Sequence, residues 1–103
     1  MGTPYKLRFV LCIKPRTAAA LEERCREAGL RITPERSAVF AAVAMHRETF
    51  AFDDILAAAR DIEASIGRDT IYRSLRCLKR LGAIRVSSSA LRHGASEAVA
   101  RAL

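Results

Sequence analysis

The sequence predicts a mainly α-helical domain, a winged helix-turn-helix with a small β-hairpin wing. Three observations predict it. In Arg68–Leu81 the apolar residues Ile71, Leu75 and Leu78, with Leu81 one position off, recur at helical spacing. The gap between this helix and the one before it is short, about four to six residues, as in a steeply crossing helix pair. Gly82 then closes the helix, and Ala83-Ile84-Arg85-Val86, the turn Ser87-Ser88-Ser89 and Ala90-Leu91-Arg92 read as strand, turn and returning strand.

A chain of 103 residues holds one small domain with one core. Half of it is hydrophobic (50%), so it folds rather than staying disordered. Abundant Ala, few aromatics and no Trp favour close-packed helices. The formal net charge of +7 favours polyanionic partners, nucleic acid before anionic membrane. The charge is polarised. Residues 64–86 hold six basic residues and one acid, and residues 47–63 hold two basic and five acidic residues. That implies one basic binding face and one acidic back. Cys12, Cys25 and Cys77 are scattered and form no Cys-x-x-Cys pair, which fits a reducing cytoplasm better than a disulfide framework. No run reaches transmembrane length, and Leu7–Ile13 lacks a secretory cleavage site.

The elements follow in order. In residues 1–16, Tyr5, Leu7, Phe9, Leu11 and Ile13 alternate with Lys6, Arg8, Val10, Cys12 and Lys14. This is strand periodicity, read either as an added strand or as a basic arm touching phosphates. Pro15 ends it. Thr17 caps a first helix through about Ala28, with Leu21, Cys25 and Ala28 as its buried stripe and Gly29 as its stop. Thr33 caps a second helix with Pro34 at its first position. Its apolar residues Val39, Phe40, Ala42 and Val43 make it the central core helix, ending near Met45. A turn over His46–Thr49 leads to a third helix with Asp53 and Asp54 in its first turn. Ile55, Leu56, Ala59 and Ile62 face inward there, and Phe50 staples its start. The fourth helix begins after Ile66-Gly67 and carries Tyr72, Arg76, Lys79 and Arg80 on the face away from its apolar stripe, with Arg73 beside them. The resulting division is an arm or extra strand over 1–16, the winged helix over 17–92 and a helical tail over 93–103.

Two segments point to one family. Gly29-Leu-Arg-Ile-Thr-Pro-Glu-Arg36 before an apolar helix, and Asp69-Thr-Ile-Tyr-Arg-Ser-Leu75 before Leu78 and Leu81-Gly82, resemble the DNA-binding domain of the ferric uptake regulator (Fur) family. There the pattern is Gly-Leu-Arg-x-Thr-x-x-Arg, then Thr-Val-Tyr-Arg-x-Leu before a Gly-terminated helix. The resemblance covers roughly residues 20–87.

It implies a transcription regulator that binds double-stranded DNA with helix 68–81 in the major groove. Tyr72 would press on thymine methyls, and Arg73 would reach a phosphate or a purine edge. Thr70 would anchor a phosphate, Arg76 would add a basic contact, and Arg31 would enter the neighbouring minor groove. From the residues alone, Tyr72 packing against the third helix, Arg31 as a solvated loop residue and Arg36 pairing with a helix or a phosphate stay open. Family members act as repressors, but nothing in these residues separates repression from activation.

The departures are as informative. Full-length members bind zinc and a regulatory divalent metal through a second domain with His-rich and Cys-x-x-Cys segments. No such segment occurs here, so no cofactor and no metal ligand are identified, and the expectation is a truncated or minimal Fur-like regulator. Thr49 stands where many members place a metal-binding His, and His46 and His93 belong to no cluster. Asp69 replaces a small residue and would either cap the helix or repel phosphate. Enzyme readings fail on inventory: no Gly-rich phosphate loop follows a strand, and no nucleophile–base set is arranged. The rival reading is a winged-helix protein-interaction module that has lost DNA binding. A homodimer would need a surface such as the N-terminal strand or the alanine-rich tail.

Folding is expected to be independent of metal, because structural zinc takes about four Cys or His ligands. Melting temperature before and after chelator treatment checks this. A large fall with chelator would reveal a ligand set that the sequence conceals.

Overall fold

A computed structural model describes residues 8–46 and 49–87. They form β1 (Arg8–Leu11), α1 (Ala18–Glu27), α2 (Pro34–Met45), β2 (Thr49–Ala51), α3 (Phe52–Ile62), α4 (Arg68–Arg80) and β3 (Ile84–Val86). The three strands make one antiparallel sheet in the order β2-β1-β3. This is the mainly α-helical winged helix that the sequence predicts.

The caps follow from the local sequence. The Thr17 hydroxyl accepts from the Ala20 amide at 3.1 Å, and the Thr33 hydroxyl from the Arg36 amide at 3.2 Å. Each satisfies one donor that the first helical turn leaves over. Asp54 accepts from the Ala51 amide at 2.9 Å and so closes the start of α3. α1 and α4 end alike. Gly29 at φ +79° and Gly82 at φ +74° adopt the left-handed conformation that glycine takes without strain. Leu30 N–H then reaches back to the Cys25 carbonyl at 2.8 Å, and Ala83 N–H to the Leu78 carbonyl at 2.9 Å.

The alternation around Phe9 resolves into a strand that pairs on both edges. Phe9 lies opposite Phe50 of β2 and Val86 of β3. Phe9, Leu11 and Ile13 turn into the core. The Phe9 and Phe50 rings stack with centroids 5.5 Å apart, an arrangement that adds about 0.5–1.5 kcal/mol to their area burial. Under the sheet lie Leu21 and Cys25 of α1, Val39, Phe40 and Val43 of α2, Ile55, Leu56 and Ala59 of α3, and Ile71, Leu75 and Leu78 of α4.

Four details differ from the sequence reading. Thr49–Ala51 is a strand rather than the end of a turn, because β1 offers it a pairing edge. Phe50 therefore serves two elements: it immediately precedes the Ala51 cap of α3, and its ring stacks in the sheet. Ala28 is exposed, since the chain leaves the helix there. Ile62 is 54% exposed, because α3 ends at that residue and its last turn overhangs the core. The returning wing strand Ala90-Leu91-Arg92, the tail and the first seven residues lie outside the described residues.

Phe9→Ala is expected to destabilise the domain by about 3–5 kcal/mol, the range for opening a buried aromatic site. Thr33→Ala is expected to remove about 1 kcal/mol. Equilibrium urea unfolding of both variants checks the pair. A Phe9→Ala loss no larger than that of Thr33→Ala would mean that β1 is a dispensable arm.

Candidate nucleic-acid interface

The geometry of α4 follows from which of its residues the core takes. Ile71, Ser74, Leu75 and Leu78 are buried, a continuous stripe at positions i, i+3, i+4 and i+7. Asp69, Arg73, Arg76 and Arg80 are exposed and lie opposite it. The flanks differ. Thr70 and Cys77 turn toward the segment joining α1 to α2, while Tyr72 turns toward α3.

Three of the sequence-predicted residues share one cleft. Arg31, Thr70 and Arg73 line it together with Thr33, Arg36 and Ser74. Arg31 is held there through its backbone: the Arg36 guanidinium donates to the Arg31 carbonyl at 2.7 Å. Arg36 is thus the brace of the loop, and the exposed Arg31 side chain projects from a fixed point beside α4. Arg76 lies one turn further along, in a groove that it lines with Arg36, Arg73, Arg80 and Cys77.

Tyr72 departs from the expected placement. It is half-buried, packs on the core and shares a shallow cavity with Phe52, Arg68 and Asp69. Its side chain is thus partly open to the surface and partly committed to packing. Asp69 does not cap the helix. The cap position is Gly67, which supplies no side-chain bond, and the Asp69 carboxylate instead pairs with Arg73 one turn on at 2.6 Å. Both side chains are 73% exposed, so the pair is worth about 0–1 kcal/mol. A longer contact of 3.4 Å joins Arg68 to Asp53 and ties the start of α4 to that of α3.

Two features escaped the sequence reading. Ser74 is a polar residue on an apolar stripe, and its three-residue spacing from Ile71 was the available signal. Cys25 is buried on α1, and Cys77 is half-buried on α4. Burial first, then the neighbouring Cys77, push the Cys25 thiol up to about 11, against the opposing pull of Arg36.

No group of three or more His, Cys, Asp or Glu residues able to hold a metal occurs among the described residues. Thr49 is exposed at the head of β2. His46 spends its Nδ1 on the Ala42 carbonyl at 2.7 Å, at the end of α2. His93 lies outside the described residues. The described residues therefore do not fit a bound metal.

With this geometry in place, the comparison with protein families is decisive. The model of the ferric uptake regulator family matches residues 27–98. The chain belongs to the ferric uptake regulator family. The match takes in α2, α3, α4 and β3, the parts that carry and position the Tyr72–Arg73 pair. Comparison with curated proteins and with solved structures returned no match. Members of this family are transcription regulators, and no helix among the described residues is long and apolar enough to cross a membrane.

Tyr72→Ala is expected to destabilise by about 1–3 kcal/mol, between the near-neutral range of surface changes and the larger range of buried aromatics. Leu75→Ala is expected to lose about 2–5 kcal/mol, and Arg73→Ala less than about 1 kcal/mol. Urea unfolding of the three variants gives the order. Equal losses for Tyr72→Ala and Leu75→Ala would make Tyr72 a core residue with no surface role.

Proposed function

We propose that this Fur-family chain is a transcription regulator that binds double-stranded DNA by placing α4 in the major groove. The observation that carries the reading is the partition of α4. Its buried stripe anchors it, and its opposite face presents Arg73, Arg76 and Arg80, with Thr70 and Tyr72 on the flanks. A helix held along one side and basic along the other fits a groove walled by phosphates. Tyr72 and Arg73 would meet base edges, Thr70 and Arg76 phosphate oxygens, and Arg31 the adjoining minor groove. A single copy reads one half-site and binds modestly. A homodimer would span two half-sites and gain both affinity and specificity. The work would be done in the cytoplasm, where three cysteines without a disulfide are at home.

The second reading is a protein-interaction module on the same fold. The Asp69–Arg73 pair favours it, because a carboxylate sits among the groups that would face phosphate. Selection of bound duplexes from a random pool tests both at once. Enrichment of a shared site supports DNA recognition, and a pool that stays random supports the interaction module.

Affinity for the selected site is expected to fall steeply with salt, with a log–log slope of about −0.9 for each phosphate neutralised. Arg76→Ala should weaken selected and scrambled duplexes alike, whereas Arg73→Ala should also lose discrimination of about 1–3 kcal/mol if it reaches a base edge. Asp69→Ala should tighten binding by removing a like charge from the phosphate-facing surface. Fluorescence anisotropy titrations at several salt concentrations check all three. A flat salt response would end the DNA reading.

A further inference from the structure

The groove between α4 and the α1–α2 connection is lined by arginines and by no acid. Arg73, Arg76 and Arg80 line it from α4, and Arg36 lines it from α2. Arg36 is half-buried and held in place, because its guanidinium donates to the Arg31 carbonyl at 2.7 Å. Arg24 of α1 donates to the Leu81 carbonyl at 3.3 Å, which sets another positive charge at the groove's end. Among the described residues, no carboxylate pairs with Arg76 or Arg80. The remaining lining is Ala28, Leu30 and Leu81, beside the Cys77 thiol. The open space is about 460 Å³, within the range of about 300–1,000 Å³ typical of small-molecule sites.

We propose that this groove binds a small organic polyphosphate of the nucleoside triphosphate type, and that the bound anion excludes DNA from α4. The exclusion of DNA rests on the function proposed above; the binding itself does not. Guanidinium groups gathered around one groove repel one another, so an anion there relieves repulsion as well as accepting hydrogen bonds. Arg73, Arg76 and Arg80 stand at i, i+3 and i+7, on one side of α4. At 1.5 Å per residue the row is about 10 Å long. A single phosphate cannot span it, and a chain of linked phosphates can. The apolar lining offers nothing to a bare inorganic anion but receives the face of a ring. Arginine adds to this, because its planar guanidinium also stacks on aromatic rings.

Duplex DNA carries the same phosphates, but its base faces are stacked inside the helix and do not reach Leu30 or Leu81. The groove as a whole therefore suits a free nucleotide better than a duplex backbone. The two ligands meet at Arg73 and Arg76, which line the groove and belong to the proposed DNA face. A guanidinium engaged by a free phosphate chain is not available to a duplex, so each ligand lowers the apparent affinity for the other.

The test is isothermal titration calorimetry on the full chain, at fixed ionic strength and with chelator present to remove magnesium. The probes are adenosine triphosphate, ribose 5-triphosphate and inorganic phosphate. Adenosine triphosphate should bind about tenfold more tightly than inorganic phosphate, through its additional guanidinium contacts. It should also bind several-fold more tightly than ribose 5-triphosphate, which has the phosphate chain and no ring. Arg80→Ala and Ala28→Glu should each weaken adenosine triphosphate about tenfold with little change in melting temperature. Arg85→Ala removes an exposed arginine on β3, outside the groove, and should bind as the parent does. In an anisotropy titration, adenosine triphosphate should displace the selected duplex at the concentration that its own affinity sets. Adenosine triphosphate binding no tighter than inorganic phosphate overturns the proposal. So does equal weakening by Arg80→Ala and Arg85→Ala, which would mean diffuse charge rather than a site. Equal affinity for the two triphosphates overturns the role of the apolar lining, and a complex holding duplex and nucleotide together overturns the exclusion. If the chain binds no duplex, the DNA reading fails, and the calorimetry alone decides whether the groove is a site.

Discussion

Everything in this domain hangs on β1 being hydrogen-bonded along both edges. β2 and β3 have only three residues each and do not pair with one another. A two-stranded pairing of that length is marginal alone. With Arg8–Leu11 between them they become one sheet, and that sheet has a mechanical consequence. β2 runs directly into α3, and β3 follows α4 after the Gly82 turn. Holding both strands therefore fixes the entrance of one helix and the exit of the other. The Phe9–Phe50 stack lies beneath that join. The angle at which α4 leaves the protein is thus set by a strand from the far end of the chain.

The same frame separates packing from recognition on α4. Its position is determined from below, by Ile71, Leu75 and Leu78, and at its end by the Gly82 turn, while the exposed Arg68–Asp53 contact adds little. Nothing on the exposed face has to serve stability. Arg73, Arg76 and Arg80 are therefore open to selection for a partner. Tyr72 is the exception, because its flank position gives it both duties. A side chain that is already partly packed loses few degrees of freedom on binding, which would suit the proposed contact to bases.

What the sequence disclosed and what it withheld divide along the range of the interaction. The helices, Thr17 and Thr33 as caps and Gly29 and Gly82 as stops were legible because each is fixed within a turn or two of chain. The paired Fur-like segments led to the family, since both are contiguous. β2 was not legible: Thr-Phe-Ala has no length for a period, and only the distant β1 makes it a strand. Ser74 was hidden by its polarity, and Tyr72 was set on the far face because a flank and a back look alike on a helix before its neighbours are known. The raised pKa of the Cys25 thiol depends on how the core closes over α1, which no local pattern encodes.

Asp69 is the residue on which the electrostatics of the site turns. Its pairing with Arg73 spans one turn and leaves both groups 73% exposed. Water screens such a pair to about 0–1 kcal/mol, so it restrains Arg73 lightly and does not fix it. If a phosphate rather than a base edge meets Arg73 in the proposed complex, it would compete with Asp69 for the guanidinium. A backbone phosphate carries one negative charge, as the Asp69 carboxylate does, and both can accept paired bonds from arginine, so in the proposed complex the exchange would be nearly balanced and decided by how closely the duplex fits. The carboxylate also lies in the first turn of α4, where negative charge suits the helix dipole. It therefore stabilises the free helix slightly. On the DNA reading, a carboxylate among arginines would lower affinity for any duplex without closing the arginine face to it, because an exposed pair worth so little opens readily.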